Sequence, residues 1–295
     1  MLADVFRGHG VFIYEAAKTI AKYGSPQQVV EALKTAGMRH AWVRLHGYTM
    51  TPEPEKPTAA LIAALKDEKI PVAGWGFDPG IDPAHEAHVA AKLVKDHGLT
   101  HYVADIEQDE HDSKWTTEKI PTFFKALRKG LPAGAQVVVS SYPYIGSKHP
   151  ELMQASAPFA DAFAPQIYWV DHPQPYMLEP RRLPPHPSRR YVAPQDLDNP
   201  TSYADLCLDW WRDTVGQKPL ILTGQAYWER GCPRERAEAK LEQFLANFQG
   251  WSRVVGANWW HLGHNDNTKT NGAMTPQMYD ALVKARVHEK PFAAA

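Results

Sequence analysis

Cysteine is almost missing from this chain of 295 residues, with only Cys207 and Cys232 present. Two thiols cannot build the disulfide framework of a small secreted scaffold or a four-thiolate zinc site. Both are expected to be free and partly buried, as in a reducing compartment. Neither sign of charge is in surplus. Lys and Arg total 32 against 33 Asp and Glu, which leaves nothing to neutralise a run of phosphates and argues against nucleic acid as a partner. No apolar run reaches the roughly 18 residues of a membrane span. The start, Met1 to Lys18, carries Asp4 and no continuous apolar core, so no signal peptide is expected. A glycine-rich phosphate turn after the first strand is also missing, because Gly8-His9-Gly10 precedes that strand. There is no Gly-x-Ser-x-Gly elbow for a nucleophilic serine. The histidine pairs His85/His88 and His261/His264 are three apart, not the four of a His-Glu-x-x-His zinc helix. His85 and His88 are expected on a solvated helix face, and no cofactor or metal is expected.

Short apolar strands alternating with longer helical patterns fill the chain. Strands are expected at 10–14, 40–45, 71–77, 101–107, 136–141, 162–169, 219–224 and 254–260. Helices are expected at 26–36, 58–69, 83–97, 117–129, 150–155, 201–215, 233–248 and 275–287. The first of these helices shows why: Ser25 is a capping residue, Pro26 suits the first helical position, and Gly37 stops the run. Eight strand–helix units imply a parallel sheet closed into a barrel, the α/β (β/α)8 or TIM-barrel class, as a single domain over residues 1–295. Closure also removes the exposed sheet edges that an open sheet must protect. The stretch 170–199, dense in Pro and Arg, is too long for a routine barrel loop and reads as an active-site loop.

In such barrels the site lies at the C-terminal ends of the strands. Here those ends carry Tyr14, Arg44, His46, Trp75, Asp78, Asp105, Glu107, Gln166, Tyr168, Gln225 and the pair Trp259-Trp260. Aromatic rings stack on the apolar faces of sugars, while amides and carboxylates hydrogen-bond hydroxyls, so the inventory suits carbohydrate better than phosphate. Asp105-Ile106-Glu107 is the sharpest feature. Residues two apart on a strand point to the same side, with backbones about 6.6 Å apart. Two carboxylates that close resist ionising together, so one keeps its proton at higher pH, as a general acid for a glycosidic oxygen requires. The competing reading is that these acids cap a strand end or pair with Arg44. Gln166 and Tyr168 form a second such pair, expected to position an acetamido or hydroxyl group of the substrate. Trp259, or its neighbour Trp260, is expected to floor the sugar site, with Trp259 the choice. Gln225, Trp75 and Asp78 complete the expected substrate-binding set, although Asp78-Pro-Gly also reads as an ordinary turn.

The segments Gly10-Val-Phe-Ile, Val30 to Arg44 and Asp105-Ile106-Glu107 resemble family 25 glycoside hydrolases, the lysozyme-like muramidases, and Gln166-Ile167-Tyr168 is compatible with them. The Asp-x-Glu strand followed by a strand-six tyrosine also resembles family 18 chitinase-type barrels, where the substrate's own acetamido group attacks. Both resemblances imply a barrel glycosidase with Glu107 as acid and Asp105 as its charged or orienting partner. The likeness is to divergent members: Phe12 stands where the muramidases carry a strand-one Asp, and Tyr102 and Val103 replace aspartates of the family 18 motif. The expected activity is cleavage of a glycosidic bond in an N-acetylated glycan such as peptidoglycan. Cytoplasmic synthesis and delivery without a signal, as in phage lysis or specialised secretion, would bring it to a wall. The alternatives are a glycan-binding barrel without turnover, a metal-dependent amide or ester hydrolase, and an interaction scaffold.

Overall fold

The computed structural model describes residues 1–108, 113–143, 145, 149–169, 198–229, 232–263 and 271–294. The elements run β1 (Gly8–Ile13), α1 (Ala16–Tyr23), α2 (Pro26–Thr35), β2 (His40–His46), α3 (Glu55–Asp67), β3 (Val72–Phe77), α4 (Pro83–Asp96), β4 (Tyr102–Asp105) and α5 (Lys119–Gly130). They continue with β5 (Val137–Ser141), α6 (Pro150–Ser156), β6 (Ala162–Ile167), α7 (Pro200–Val215), β7 (Ile221–Gln225), β8 (Trp228–Glu229), α8 (Arg234–Asn247), β9 (Gly256–Leu262), β10 (Asn271–Gly272) and α9 (Pro276–Ala285). Strands β1 to β7 and β9 form a closed parallel barrel, β9 pairing back onto β1. This is the (β/α)8 barrel expected from the alternation. Three elements were not expected: the helix α1, which gives β1 two helices, and the strands β8 and β10, which form a small antiparallel pair. The loop at 170–199 lies outside the described residues except for Asp198 and Asn199, as do Asp109, Glu110, His111, Asp171, His264 and Asp266.

Local chemistry explains the helix starts. Ser25, Asp82, Asn199 and Thr275 each accept a hydrogen bond from a first-turn backbone N–H, and each is followed by a proline. The side chain satisfies a donor that has no partner inside the helix, and the proline surrenders one that would have none.

Alternation along each strand divides the core in two. Phe12, Trp42, Ala73, Trp75, Val103, Val138, Ala162, Ala164 and Ile221 fill the barrel interior, with Leu2, Val5 and Phe6 packed beside them. Large and small residues interleave: Trp42 is in register with Ala73, and its indole N–H donates to the Val5 carbonyl at 2.8 Å. The opposite faces pack outward against the helices, where Ile13, Val43, Leu45, Ala104, Val139 and Leu222 meet residues such as Leu33, Leu65, Phe124 and Phe244. At Gly256 the backbone of β9 comes close to that of β1. A Cβ there would sit 2.7 Å from the Gly8 carbonyl oxygen, so only glycine lets β9 close onto β1. Both cysteines are free and buried. No helix among the described residues is long and apolar enough to cross a membrane.

Four histidines are locked inside this core, and burial is the main cause that lowers each pKa: His9 to about 3, His40 to about 4, His46 to about 4 and His261 to about 3. Burial has the opposite effect on Asp78 and Asp105, raising both. Near pH 5 the unfolded chain therefore binds up to four histidine protons that the fold refuses, while the fold keeps up to two carboxyl protons that the unfolded chain releases. The histidines outnumber the acids, so stability falls as pH drops below about 6.5, with a slope near pH 5 of about 3–5 kcal/mol per pH unit. Urea unfolding between about pH 7 and about pH 5 should show a midpoint that decreases toward acid; a flat or rising midpoint would contradict this balance.

Candidate active site

At the C-terminal mouth of the barrel lies a pocket of about 390 Å³ lined by Tyr14, Arg44, Gly47, Tyr48, Trp75, Phe77, Asp105, Glu107, Gln166, Tyr168 and Trp260. Asp105 closes β4, and Glu107 follows in the next extended residues. Pairing continues past the end of β4, because the Ile106 N–H donates to the Ser140 carbonyl at 3.0 Å. Ile106 is wholly buried among the outward-facing residues. That keeps the alternation in phase, so both acids turn to the same side.

A single nitrogen links the two acids. The Gln166 Nε2 donates to Asp105 Oδ1 at 2.8 Å and to Glu107 Oε1 at 2.6 Å, with Ser140 Oγ at 3.1 Å. Gln166 reaches them from β6, across the strand that carries Ser140, which is the register partner of Asp105. Burial raises the Asp105 pKa well above the usual carboxylate range, and the neighbouring Glu107 charge adds to it; the hydrogen bonds from Ser140 and Gln166 pull the other way without cancelling the rise. The pair as a whole therefore resists losing its last proton. Asp105 is 8% exposed, whereas Glu107 is half-buried and open to the pocket. Arg44, in the same lining, is engaged by other groups. Its Nη2 lies 2.7 Å from Glu53, and its guanidinium stacks 3.8 Å over the Tyr14 ring.

The remaining walls are aromatic. Trp75 and Trp260 meet edge to face at 5.2 Å, and Tyr14 stacks on Trp75 at 6.1 Å and meets Trp260 at 5.5 Å. Tyr168 tilts toward Trp260 at 6.4 Å and contacts Tyr227 at 5.3 Å.

Several expected positions are corrected. Trp259 does not floor the pocket. It is wholly buried outside the barrel wall, its indole N–H donating to His9 Nε2 at 2.7 Å and its ring 6.2 Å from Phe244 on α8. Trp259 is in register with outward-facing Val11, so Trp260 takes the inward position. Asp78 is also wholly buried away from the pocket. The Tyr102 hydroxyl lies between Asp78 Oδ2 at 3.1 Å and His46 Nε2 at 2.7 Å, and burial, followed by the Glu86 charge, holds the Asp78 carboxyl well above its normal range. His46 leaves the rim because a register irregularity after Arg44 turns it outward toward Gly76. Gln225 is 1% exposed and is not part of the lining; its amide donates to the Tyr227 carbonyl at 2.8 Å. Gln166 is in place, but its amide nitrogen is committed to the carboxylates and not free to hold an acetamido group. His85 and His88 are exposed on α4. No group of three or more His, Cys, Asp or Glu that could hold a metal ion occurs among the described residues.

Three residues of this site escaped the sequence reading. Phe77 follows Trp75 by two on β3, the same spacing that paired the acids, and was there to be found. Ser140 and Tyr48 carried no such signal: the first depends on strand register, and the second sits in a loop.

No protein-family profile matches the chain, and no curated protein matches it. Solved structures show the fold. An endo-beta-1,4-mannanase from Thermotoga petrophila aligns over 98% of this chain and 78% of that one, at 13% identity and a TM-score of 0.58. The GH18 chitinase ChiB from Flavobacterium johnsoniae aligns over 96% and 94%, at 11% identity and 0.53. Two structures of the modular autolysin LytC from Streptococcus pneumoniae match at 17% and 16% identity with TM-scores of 0.39; the match spans 54% of this chain and only 37% of theirs. Barrels with lyase, reductase and synthase chemistry match as well. The likeness to the mannanase and the chitinase shows a shared barrel architecture, and any function must be argued from the site itself.

Proposed function

We propose that this protein hydrolyses a glycosidic bond next to an N-acetylated sugar in a glycan such as peptidoglycan. One observation carries the reading: two carboxyl groups on one amide nitrogen, at the base of a pocket walled by Tyr14, Trp75, Tyr168 and Trp260. In the resting pair one proton is shared between Asp105 and Glu107. When a sugar covers Glu107 and displaces water, the cost of Glu107's charge rises and the proton moves to it. Glu107 then protonates the leaving oxygen, and ionised Asp105 stabilises the positive charge that develops at the sugar. Tyr168 orients the substrate, and Trp260 with Trp75 supplies the apolar face under the ring.

The pair's spacing bears on stereochemistry. Two oxygens within hydrogen-bond reach of one nitrogen are closer than the roughly 6.5–9.5 Å an inverting pair needs to hold a water between them. This spacing suits a retaining route; for an N-acetylated sugar the attacking group in this reading is the substrate's own acetamido oxygen, with water adding later from the face that the leaving group vacated, under Glu107 as base. The new reducing end should keep the configuration of the cleaved bond, as proton NMR of fresh products would show; inversion would exclude this route.

Incubation with peptidoglycan and chitin oligosaccharides, with products identified by mass spectrometry, tests the activity. Glu107→Gln should lower kcat/KM by about 10²–10⁴-fold while binding persists, and unchanged hydrolysis would remove Glu107 from the role. Asp105→Asn should lower the rate too. It also takes away the negative neighbour that helps Glu107 keep its proton, so the alkaline limb of the rate profile should move to lower pH. An unmoved limb would mean the two groups are not coupled. A second reading, glycan binding without turnover, draws on Phe12, which occupies the barrel interior 5.2 Å from Trp260, where the muramidases carry an acid. It expects calorimetric affinity for the same oligosaccharides and no products.

A further inference from the structure

We propose that Tyr48 and Phe77 form a separate sugar-binding subsite, which stacks a ring of the glycan chain other than the one beside Glu107. The inference rests on the hydrolase reading only for the class of ligand. Tyr48 is 39% exposed, and among the described residues the other large apolar side chains this open to solvent are Met1 and Ile81. Unlike those two, Tyr48 lines the pocket. Its ring lies 5.8 Å from that of Phe77, tilted by 43°, so the pair makes a two-ring shelf at the pocket's edge.

Topology sets the shelf apart from the reacting centre. Phe77 is the register partner of Asp105, which puts it one strand from the acids. Tyr48 follows β2, two strands from β4 and about 10 Å away at normal strand spacing. A sugar ring held against Glu107 does not reach that far, so a ring on Tyr48 is a different unit of the chain. On the other side of the acids Tyr168 lines the pocket and meets Tyr227 edge to face at 5.3 Å. The carboxyl groups thus have aromatic side chains on both sides, as suits a polymer that runs through the site.

The loop that presents Tyr48 is held in place. His46 bridges to Pro52, the Met50 N–H donates to the Gly47 carbonyl at 3.0 Å, and the Thr49 and Thr51 hydroxyls meet at 2.8 Å. At Gly47 an added Cβ would meet nothing within 4 Å apart from its chain neighbours, so among the described residues the space next to the Tyr48 backbone is open. A ring fixed before binding loses little freedom when the sugar arrives, which is what makes stacking on it effective.

The test is chain-length dependence. Rates are measured for N-acetylglucosamine oligomers from dimer to hexamer, and for peptide-free peptidoglycan strands, with wild type, Tyr48→Ala and Tyr48→Trp. The ratio of wild-type to Tyr48→Ala kcat/KM should rise by about tenfold between the shortest and longer chains, the value of roughly 50 Å² of apolar surface withdrawn from water. The rise should appear in KM, and Tyr48→Trp should abolish most of it. A misfolded fraction would lower all lengths equally, so a penalty independent of length, or none, overturns the subsite. If no oligomer is cleaved, the hydrolase reading fails and calorimetry with the same series decides the subsite. A length-dependent loss of affinity in Tyr48→Ala upholds it, and equal affinities at every length reject it.

Discussion

Everything at the mouth of this barrel turns on a like-charge problem solved by one amide. Asp105 and Glu107 face the same side because a strand alternates every second residue, and water is scarce there. Left alone, the two carboxylates would repel. Gln166 answers with one nitrogen that donates to both, backed by Ser140 on the strand between them. The amide carries no net charge, so it draws the acids together without forcing both to ionise. A cation in that place would stabilise two negative charges and strip the pair of its proton. Arg44, the cation in the lining among the described residues, is instead held by Glu53 and the Tyr14 ring.

The barrel makes that arrangement possible by separating its two faces. Inward positions at the mouth carry the acids, the amide and the aromatic rings. Outward positions bury what would disturb them, including the Asp78–Tyr102–His46 group packed behind β3 and β4. Asp78 is tied to the acid-bearing strand by its backbone, its N–H donating to the Asp105 carbonyl at 3.0 Å. Burial, followed by the Glu86 charge, raises its pKa, which favours its uncharged form behind the pair. The same closure that excludes water from these groups makes the fold sensitive to acid, because four buried histidines have no room for a second proton.

Much of this was legible in the residues. Periodicity and punctuation located the barrel strands to within a few residues, since capping side chains, prolines and stop glycines act locally. Helix α1 was overlooked because it follows β1 directly, with no cap bond to announce it. The acids were legible for the same local reason: two apart on a strand means one face, whatever surrounds it.

By itself the sequence determined the element order, the closed parallel architecture that eight alternating units imply, and the shared face of Asp105 and Glu107. All of these follow from backbone geometry within a few residues of each position. Tertiary structure alone decided which tryptophan faces the pocket, that Asp78 and His46 turn away from it, and that Gln166 spends its nitrogen on the acids. Each of those depends on the register between strands far apart in the chain. A shift of one residue there exchanges inside for outside, and no local pattern in β9 distinguishes Trp259 from Trp260 until β1 closes against it.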